Sequence, residues 1–294
     1  MSITERDRKY VWHPFTPQKN MPDPVAVVQG KGSLLIDENG NTYIDAISSW
    51  WVNLHGHAHP YIAEKLYKQA LQLEQVIFAG FTHQPAVELA EKLLQLLPKG
   101  FSKIFYSDNG STSTEVAIKM AIQYWWNIDK VRSYKLQDAS DLETGIRNLE
   151  LGTTNADMTT GNWQLETGNR KRNKILAFNN SYHGDTFGAM SVSDRGVFTL
   201  AFHDLLFDVI FIDTPTRENI REIKSIVDRH ANEIAAFIYE PLVQGAGGMK
   251  MYQADLMGEL LKTIKKYNII CIADEVMTGF GRTGKLFASE HINE

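Results

Sequence analysis

Apolar residues along this chain recur with two different periods, and the change from one to the other divides it into elements. Apolar runs at 25–28, 33–37 and 42–47 read as short strands, with Asn39-Gly40 between the last two as a hairpin-turn signal. They predict a small β-rich N-terminal segment. Pro60 suits a first helical position, and Ile62, Leu66, Ala70 and Leu73 follow at helical spacing. Val87, Ala90, Leu94 and Leu97 repeat that spacing until Pro98-Lys99-Gly100 stops it. Strand-like runs at 103–106, 174–178, 209–212, 235–239 and 269–273 then alternate with helical stretches. This predicts an α/β fold with a mostly parallel sheet covered by helices. Residues 129–173 fit neither period, being polar and rich in Thr, Asn and Gly. They read as a surface insertion, with a lid over a site as the sharper alternative.

Composition narrows the function classes. The chain has 294 residues, 43% hydrophobic and 22% charged, as expected of a globular enzyme with a large core. A formal charge of −5 supplies no broad cationic field, which argues against a nucleic-acid partner or an anionic membrane surface. The cluster Arg170, Lys171, Arg172, Lys174 is too short to reverse that. The single cysteine, Cys271, lies inside an apolar run and reads as a small buried hydrophobe, which implies a reducing compartment. No apolar run reaches the roughly 18 residues of a membrane span, so a cytoplasmic location is expected. His55, His57 and His59 have an H-x-H-x-H spacing, but Gly56, Ala58 and Pro60 place them in a turn, where packing is expected in place of a metal.

The richest segment, Asp274-Glu275-Val-Met-Thr-Gly279-Phe-Gly281-Arg282-Thr283-Gly284-Lys285-Leu286, supports three readings. Gly279, Gly281 and Gly284 match a dinucleotide-binding G-x-G-x-x-G, yet four residues separate Gly279 from Asp274 and no second strand follows. Residues 279–285 match most of a phosphate-binding loop, yet Leu286 stands where a Ser or Thr would hold magnesium. The third reading sets the glycines aside and takes Asp274 as a carboxylate at a strand's carboxyl end, where an open α/β sheet binds ligands.

Two other strand ends support Asp274. Ser107-Asp108-Asn109-Gly110-Ser111-Thr112 leads into a helix bearing Glu115, Ala117, Ala121 and Trp125. A helix start of this kind offers free amides, hydroxyls and a positive dipole end to a phosphate monoester, although Ser and Thr also cap helices in general. Asn180-Ser181-Tyr182-His183-Gly184-Asp185 adds an aromatic face and a carboxylate; a packed loop is its plain alternative. Phosphate cradle, aromatic face and carboxylate together suit a flat, phosphorylated, basic heterocycle, and pyridoxal 5'-phosphate has that chemistry.

These residues carry a resemblance along the whole chain. Asp108-Asn109-Gly110-Ser111 with Glu115, Tyr182-His183-Gly184, Glu240-Pro241, and the run from Asp274 to Gly284 resemble the class III aminotransferases, pyridoxal-phosphate enzymes of fold type I. Trp12-His13-Pro14-Phe15, Ser48-Ser49-Trp50-Trp51, the run from Gly184 to Met190 and the run from Val243 to Met249 are similar to the biotin-biosynthetic branch of that class. The resemblance implies amino transfer to 8-amino-7-oxononanoate, with S-adenosylmethionine as donor and lysine as the alternative donor. An ω-amino acid or diamine aminotransferase, or a non-catalytic pyridoxal-phosphate-binding protein, are the other functions consistent with these residues.

The resemblance also implies roles. Gly110 and Ser111 would hold the phosphate, Tyr182 would lie against the ring, and Asp274 would pair with the ring nitrogen. Asp185 and Glu240 would belong to the polar network around the cofactor, with a buried structural carboxylate as the plain alternative for Glu240. Trp50 would cover the substrate's aliphatic chain beside Tyr182, while Phe15 stands where many relatives have tyrosine. Residues 1–58 would be the N-terminal segment of a small domain and 59–294 a large cofactor-binding domain. A homodimer acting on small molecules is implied. The family's cofactor-bonding lysine follows its strand-end aspartate by more than the 20 residues that follow Asp274 here. It is therefore expected beyond Glu294, with no catalytic lysine in the chain and no activity from the chain alone.

Overall fold

Ile234–Tyr239, a strand of sequence IAAFIY, is buried along its whole length, as a strand covered on both faces must be. A computed structural model describes residues 1–137 and 172–293, with the side chains of 129–137 left aside. The chain forms two compact units, Met1–Phe105 and Tyr106–Glu294. The expected division at 58–59 concerns the domain plan of longer family members and remains a proposal.

In the first unit, β1 (Val27–Lys31), β2 (Leu34–Asp37) and β3 (Thr42–Ile44) form an antiparallel sheet, ordered β1-β2-β3. The β2–β3 turn works as its Asn-Gly pair suggests: Gly40 takes φ +84°, which a side chain would disfavour. Asp37 accepts from the amides of Asn39 and Asn41, the Asn41 side chain and the Tyr43 hydroxyl. Helices follow at Pro60–Ala70 and Gln84–Leu96, each with proline in its first turn. His57 pairs with Asp45 at 2.8 Å, and its Cβ lies where a side chain on Gly30 would have to go. Turn packing therefore accounts for this histidine.

In the second unit β4 (Lys174–Phe178), β5 (Val209–Ile212), β6 and β9 (Ile270–Ala273) form an all-parallel sheet, ordered β5-β4-β6-β9, with β6 the strand Ile234–Tyr239. A two-stranded antiparallel pair, β7 (Val243–Gln244) and β8 (Lys250–Met251), stands apart from it. Alternate side chains go to opposite faces. Leu176, Phe178 and Phe237 pack with Ile223 and Val227 of the helix Ile220–His230 and with Met257, Leu260 and Ile264 of Ala254–Lys266. Ile175, Ala177, Ala236 and Ile238 pack with Ile118, Ala121 and Trp125 of the helix Gly110–Gln137. Cys271 packs against the first of these clusters, as a small hydrophobe does.

Two sequence expectations change. Residues 103–106 are not a strand: a run earns that state only when a neighbour takes its amides, and Phe105 stays 65% exposed. The expected insertion at 129–173 begins as helix, because Gly110–Gln137 continues through its first residues. Of its remainder, 138–171 lie outside the described residues and 172–173 lead into β4.

Candidate active site

The parallel strands all end toward one edge, and each sheet residue singled out from the sequence of the second unit lies just past a strand's carboxyl end. Asp274 follows β9, Glu240 follows β6, and Tyr182 and Asp185 lie in the loop after β4. The backbone ties the first two ends together, with the Asp274 amide donating to the Tyr239 carbonyl at 2.8 Å.

His183 stands between them. Its Nδ1 lies 2.7 Å from Asp274 Oδ2, and because a carboxylate only accepts, Nδ1 carries the proton. The imidazole is fully buried while the Asp274 side chain retains 10% exposure, so the carboxylate reaches the surface through one oriented face. Asp274 Oδ1 accepts from the Val276 amide at 3.1 Å. Buried His183 Nε2 has no hydrogen-bond partner among the described residues. The sequence motif contained this histidine, but only a contact across 91 residues reveals what it holds.

Glu240 is buried and holds two loops through their backbones. Oε1 accepts from the Tyr182 amide at 3.1 Å and Oε2 from the Gly245 amide at 2.8 Å. Burial pushes its carboxyl above the usual range, against the opposing influence of His183 and those two amides. Tyr182 donates its hydroxyl to Asp185 Oδ2 at 2.8 Å, and burial followed by that hydrogen bond holds its phenol well above the ordinary value. The ring is fixed at both ends.

The helix start completes the arrangement. Asn109 Oδ1 caps the Thr112 amide at 3.0 Å, while the amides of Gly110 and Ser111 belong to the first turn, which has no carbonyl of its own helix to meet. Ser111 Oγ accepts from the Asp185 amide at 2.9 Å, which orients the hydroxyl and leaves its hydrogen to donate elsewhere. A Cβ on Gly184 would stand 2.0 Å from Ser111 Oγ, and Gly184 has φ +125°, so only glycine brings the loop this close. Ser111, Tyr182, His183, Asp185, Glu240 and Asp274 are thus linked by hydrogen bonds and the Tyr182-His183 backbone within the second unit, with Gly110 next to Ser111 in the chain. Trp50 belongs to the first unit, in the segment Ser48–Trp51, whose four residues all have left-handed φ from 48° to 68°. Its ring lies 6.1 Å from that of Phe15.

The glycine segment shows neither nucleotide fingerprint. Gly281 and Gly284 take φ of +93° and +91°, and their amides bond to the Leu286 and Gly281 carbonyls within the loop. Lys285 Nζ donates to the Glu290 carbonyl at 2.6 Å. Glu275 closes the loop's neck, accepting from the Ala288 and Ser289 amides at 2.9 and 2.8 Å.

The chain matches known proteins along nearly its whole length. The family model for aminotransferase class III matches residues 15–294. The chain is 44% identical to the adenosylmethionine-8-amino-7-oxononanoate aminotransferase of Synechococcus elongatus, over 96% of this chain and 59% of that protein. It is 37% identical to the protein of that name from Staphylococcus aureus, over 98% of this chain and 59% of that one. A crystal structure of the Methanocaldococcus jannaschii protein of that name matches with a TM-score of 0.80 at 33% identity, over 98% of this chain and 57% of that one. The chain therefore spans 57–59% of the length of these relatives. It belongs to the class III aminotransferases, a pyridoxal-phosphate-dependent family with the fold type I α/β architecture.

Proposed function

We propose that this chain carries the cofactor-binding site of an aminotransferase of biotin biosynthesis, one that converts 8-amino-7-oxononanoate to 7,8-diaminononanoate with S-adenosylmethionine as amino donor. The observation that carries the chemistry is the strand-end carboxylate Asp274, oriented by buried His183 next to the Tyr182 loop and the Gly110–Ser111 helix start. The relatives' names support the substrate, since the 33–44% identities quoted are to proteins so named. The rival substrate class, ω-amino acids or diamines, is supported by a lower likeness: an omega transaminase from Pseudomonas jessenii matches at 25% identity and a TM-score of 0.76.

The residues present fit the cofactor. First-turn amides and the Ser111 hydroxyl hydrogen suit its phosphate, the Tyr182 ring suits its flat face, and the Asp274 carboxylate suits a protonated ring nitrogen. Pyridoxal phosphate, when bound, supplies the electron sink for the substrate carbanion. Asp274 would hold a proton on the ring nitrogen by its negative charge. His183 orients that carboxylate, Glu240 holds the Tyr182 backbone amide, and Asp185 holds the Tyr182 phenol. A homodimer in the cytoplasm belongs to this proposal. Among the described residues, no helix is long and apolar enough to cross a membrane.

The test uses the complete gene in a bacterial strain lacking this step. The wild-type gene restores growth without biotin, while Asp274→Ala, made as soluble protein, does not. Rescue by Asp274→Ala would remove the role given to that residue, and failure of a soluble, cofactor-loaded wild type would favour the ω-amino acid or diamine substrate.

A further inference from the structure

One carboxylate near the proposed phosphate cradle has the wrong sign for it. Glu115 lies one helical turn after Ser111 on the same face of Gly110–Gln137, where negative charge opposes an anion at the helix start. What it holds explains its presence. Glu115 Oε2 accepts from Thr186 Oγ1 at 2.7 Å and from the Ala189 amide at 3.1 Å, so both bonds end on the same oxygen. A Cβ on Gly188 would stand 2.4 Å from Oε2 and 2.5 Å from Oε1. The carboxylate occupies the volume that a side chain at 188 would need.

The same relation occurs one turn earlier. Ser111 Oγ accepts from the Asp185 amide and fills the space in front of Gly184. Ser111 and Glu115, four residues apart on the helix, thus seat against Gly184 and Gly188, four residues apart on the segment that follows Tyr182 and His183. Two contacts fix a register where one would leave a pivot.

We propose that Glu115 is a positioning residue that sets the spacing between the amides of the helix start and the loop carrying Tyr182 and His183, matching the site to a phosphorylated pyridine ligand. The proposal rests on the reading of Gly110 and Ser111 as the phosphate cradle. A ligand held at both ends binds well only when the distance between the ends is right, and displacements of about 1 Å are costly.

Calorimetric titration of the cofactor-free protein made from the complete gene with pyridoxamine 5'-phosphate and with pyridoxamine tests this. Both ligands meet the ring-facing groups and only the first meets the cradle, so the ratio of their affinities reports the register. Glu115→Ala is expected to lower that ratio about tenfold, the equivalent of one well-placed hydrogen bond. Glu115→Gln, whose single oxygen can accept both bonds, is expected to keep the ratio within about threefold. Gly188→Ala pushes the carboxylate aside and is expected to match the loss in Glu115→Ala, with no further loss in the double variant.

Equal weakening of both ligands by Glu115→Ala overturns the proposal, as does an unchanged ratio. A glutamine variant as poor as the alanine variant also overturns it, because the two hydrogen bonds that glutamine keeps would then not be what sets the spacing. A wild-type chain that shows no preference for the phosphorylated ligand defeats the cradle reading itself and the proposal with it. If Glu115→Ala does not fold by circular dichroism, the Gly188→Ala and Glu115→Gln ratios decide: both unchanged overturns the proposal, and loss only in Gly188→Ala supports it.

Discussion

Glu240 shows how a single residue's surroundings set its task. Its two oxygens hold the Tyr182 and Gly245 amides, and burial nonetheless leaves its carboxyl above its ordinary value of 4.5. A group with a raised folded-state value contributes stability at low pH and loses it as pH rises through that value, because the folded chain binds the proton more tightly than the unfolded one. Glu240→Gln has no such titration, so the melting-temperature advantage of wild type over this variant should narrow as pH rises from about 4.5. A gap that stays constant or widens would contradict this assignment. The neighbouring residues were legible in the sequence to different degrees. Asp274 was visible because it ends an apolar run, whereas the roles of His183 and Glu115 depend on partners 91 and 71 residues away.

At the scale of elements, the helix Gly110–Gln137 is fixed to the sheet at an irregularity. The register of β4 against β6 skips Ala235, pairing Lys174 with Ile234 and Ile175 with Ala236. A bulge of this kind leaves a residue outside the ladder, and here Trp125 Nε1 donates to the Ala235 carbonyl at 2.8 Å in a buried setting. The Arg172 guanidinium lies 4.1 Å from the same ring. Trp125→Phe keeps an aromatic ring and removes this buried hydrogen bond, so a loss of about 0.5–1.5 kcal/mol in denaturant unfolding is expected. No loss would mean that water or a shift in the helix supplies a donor.

On β9 the pattern was only partly sufficient. Cys271 reads as buried from its apolar neighbours, whereas the structure leaves it partly buried against the core, and desolvation pushes its thiol up to about 11. A disulfide reagent at neutral pH should therefore react with it more slowly in the native chain than in denaturant. Rapid reaction of the native chain would sink that reading. Periodicity also identified the helices at Pro60–Ala70 and Gln84–Leu96, yet Ile62, Leu66 and Val87 are 46%, 70% and 46% exposed. A repeating apolar face specifies a helix without specifying what covers it.

Over the whole molecule, packing is uneven. In Met1–Phe105 Asp37 alone is buried, whereas β4 and β6 in the second unit contain side chains with no exposure at all. Local opening costs least where few apolar contacts must break. In hydrogen–deuterium exchange, amides of Pro60–Ala70 and Gln84–Leu96 should exchange early and those of β4 and β6 last, and equal protection of the two units would refute this.

The sequence by itself determined the local states: buried strands from continuous apolar runs, helices from their spacing, a hairpin from Asn39-Gly40, and a strand-end carboxylate at Asp274. These follow from residues close together in the chain, whose backbone preferences and solvent exposure act without reference to distant partners. The tertiary structure alone decided that 103–106 gains no ladder partner, that His183 meets Asp274, and that Ser111 and Glu115 seat against two glycines. Those outcomes depend on the strand order β5-β4-β6-β9, which brings distant segments to one edge of the sheet. Hydrophobic periodicity specifies which face of an element is apolar, and it carries no information about which neighbour that face will meet.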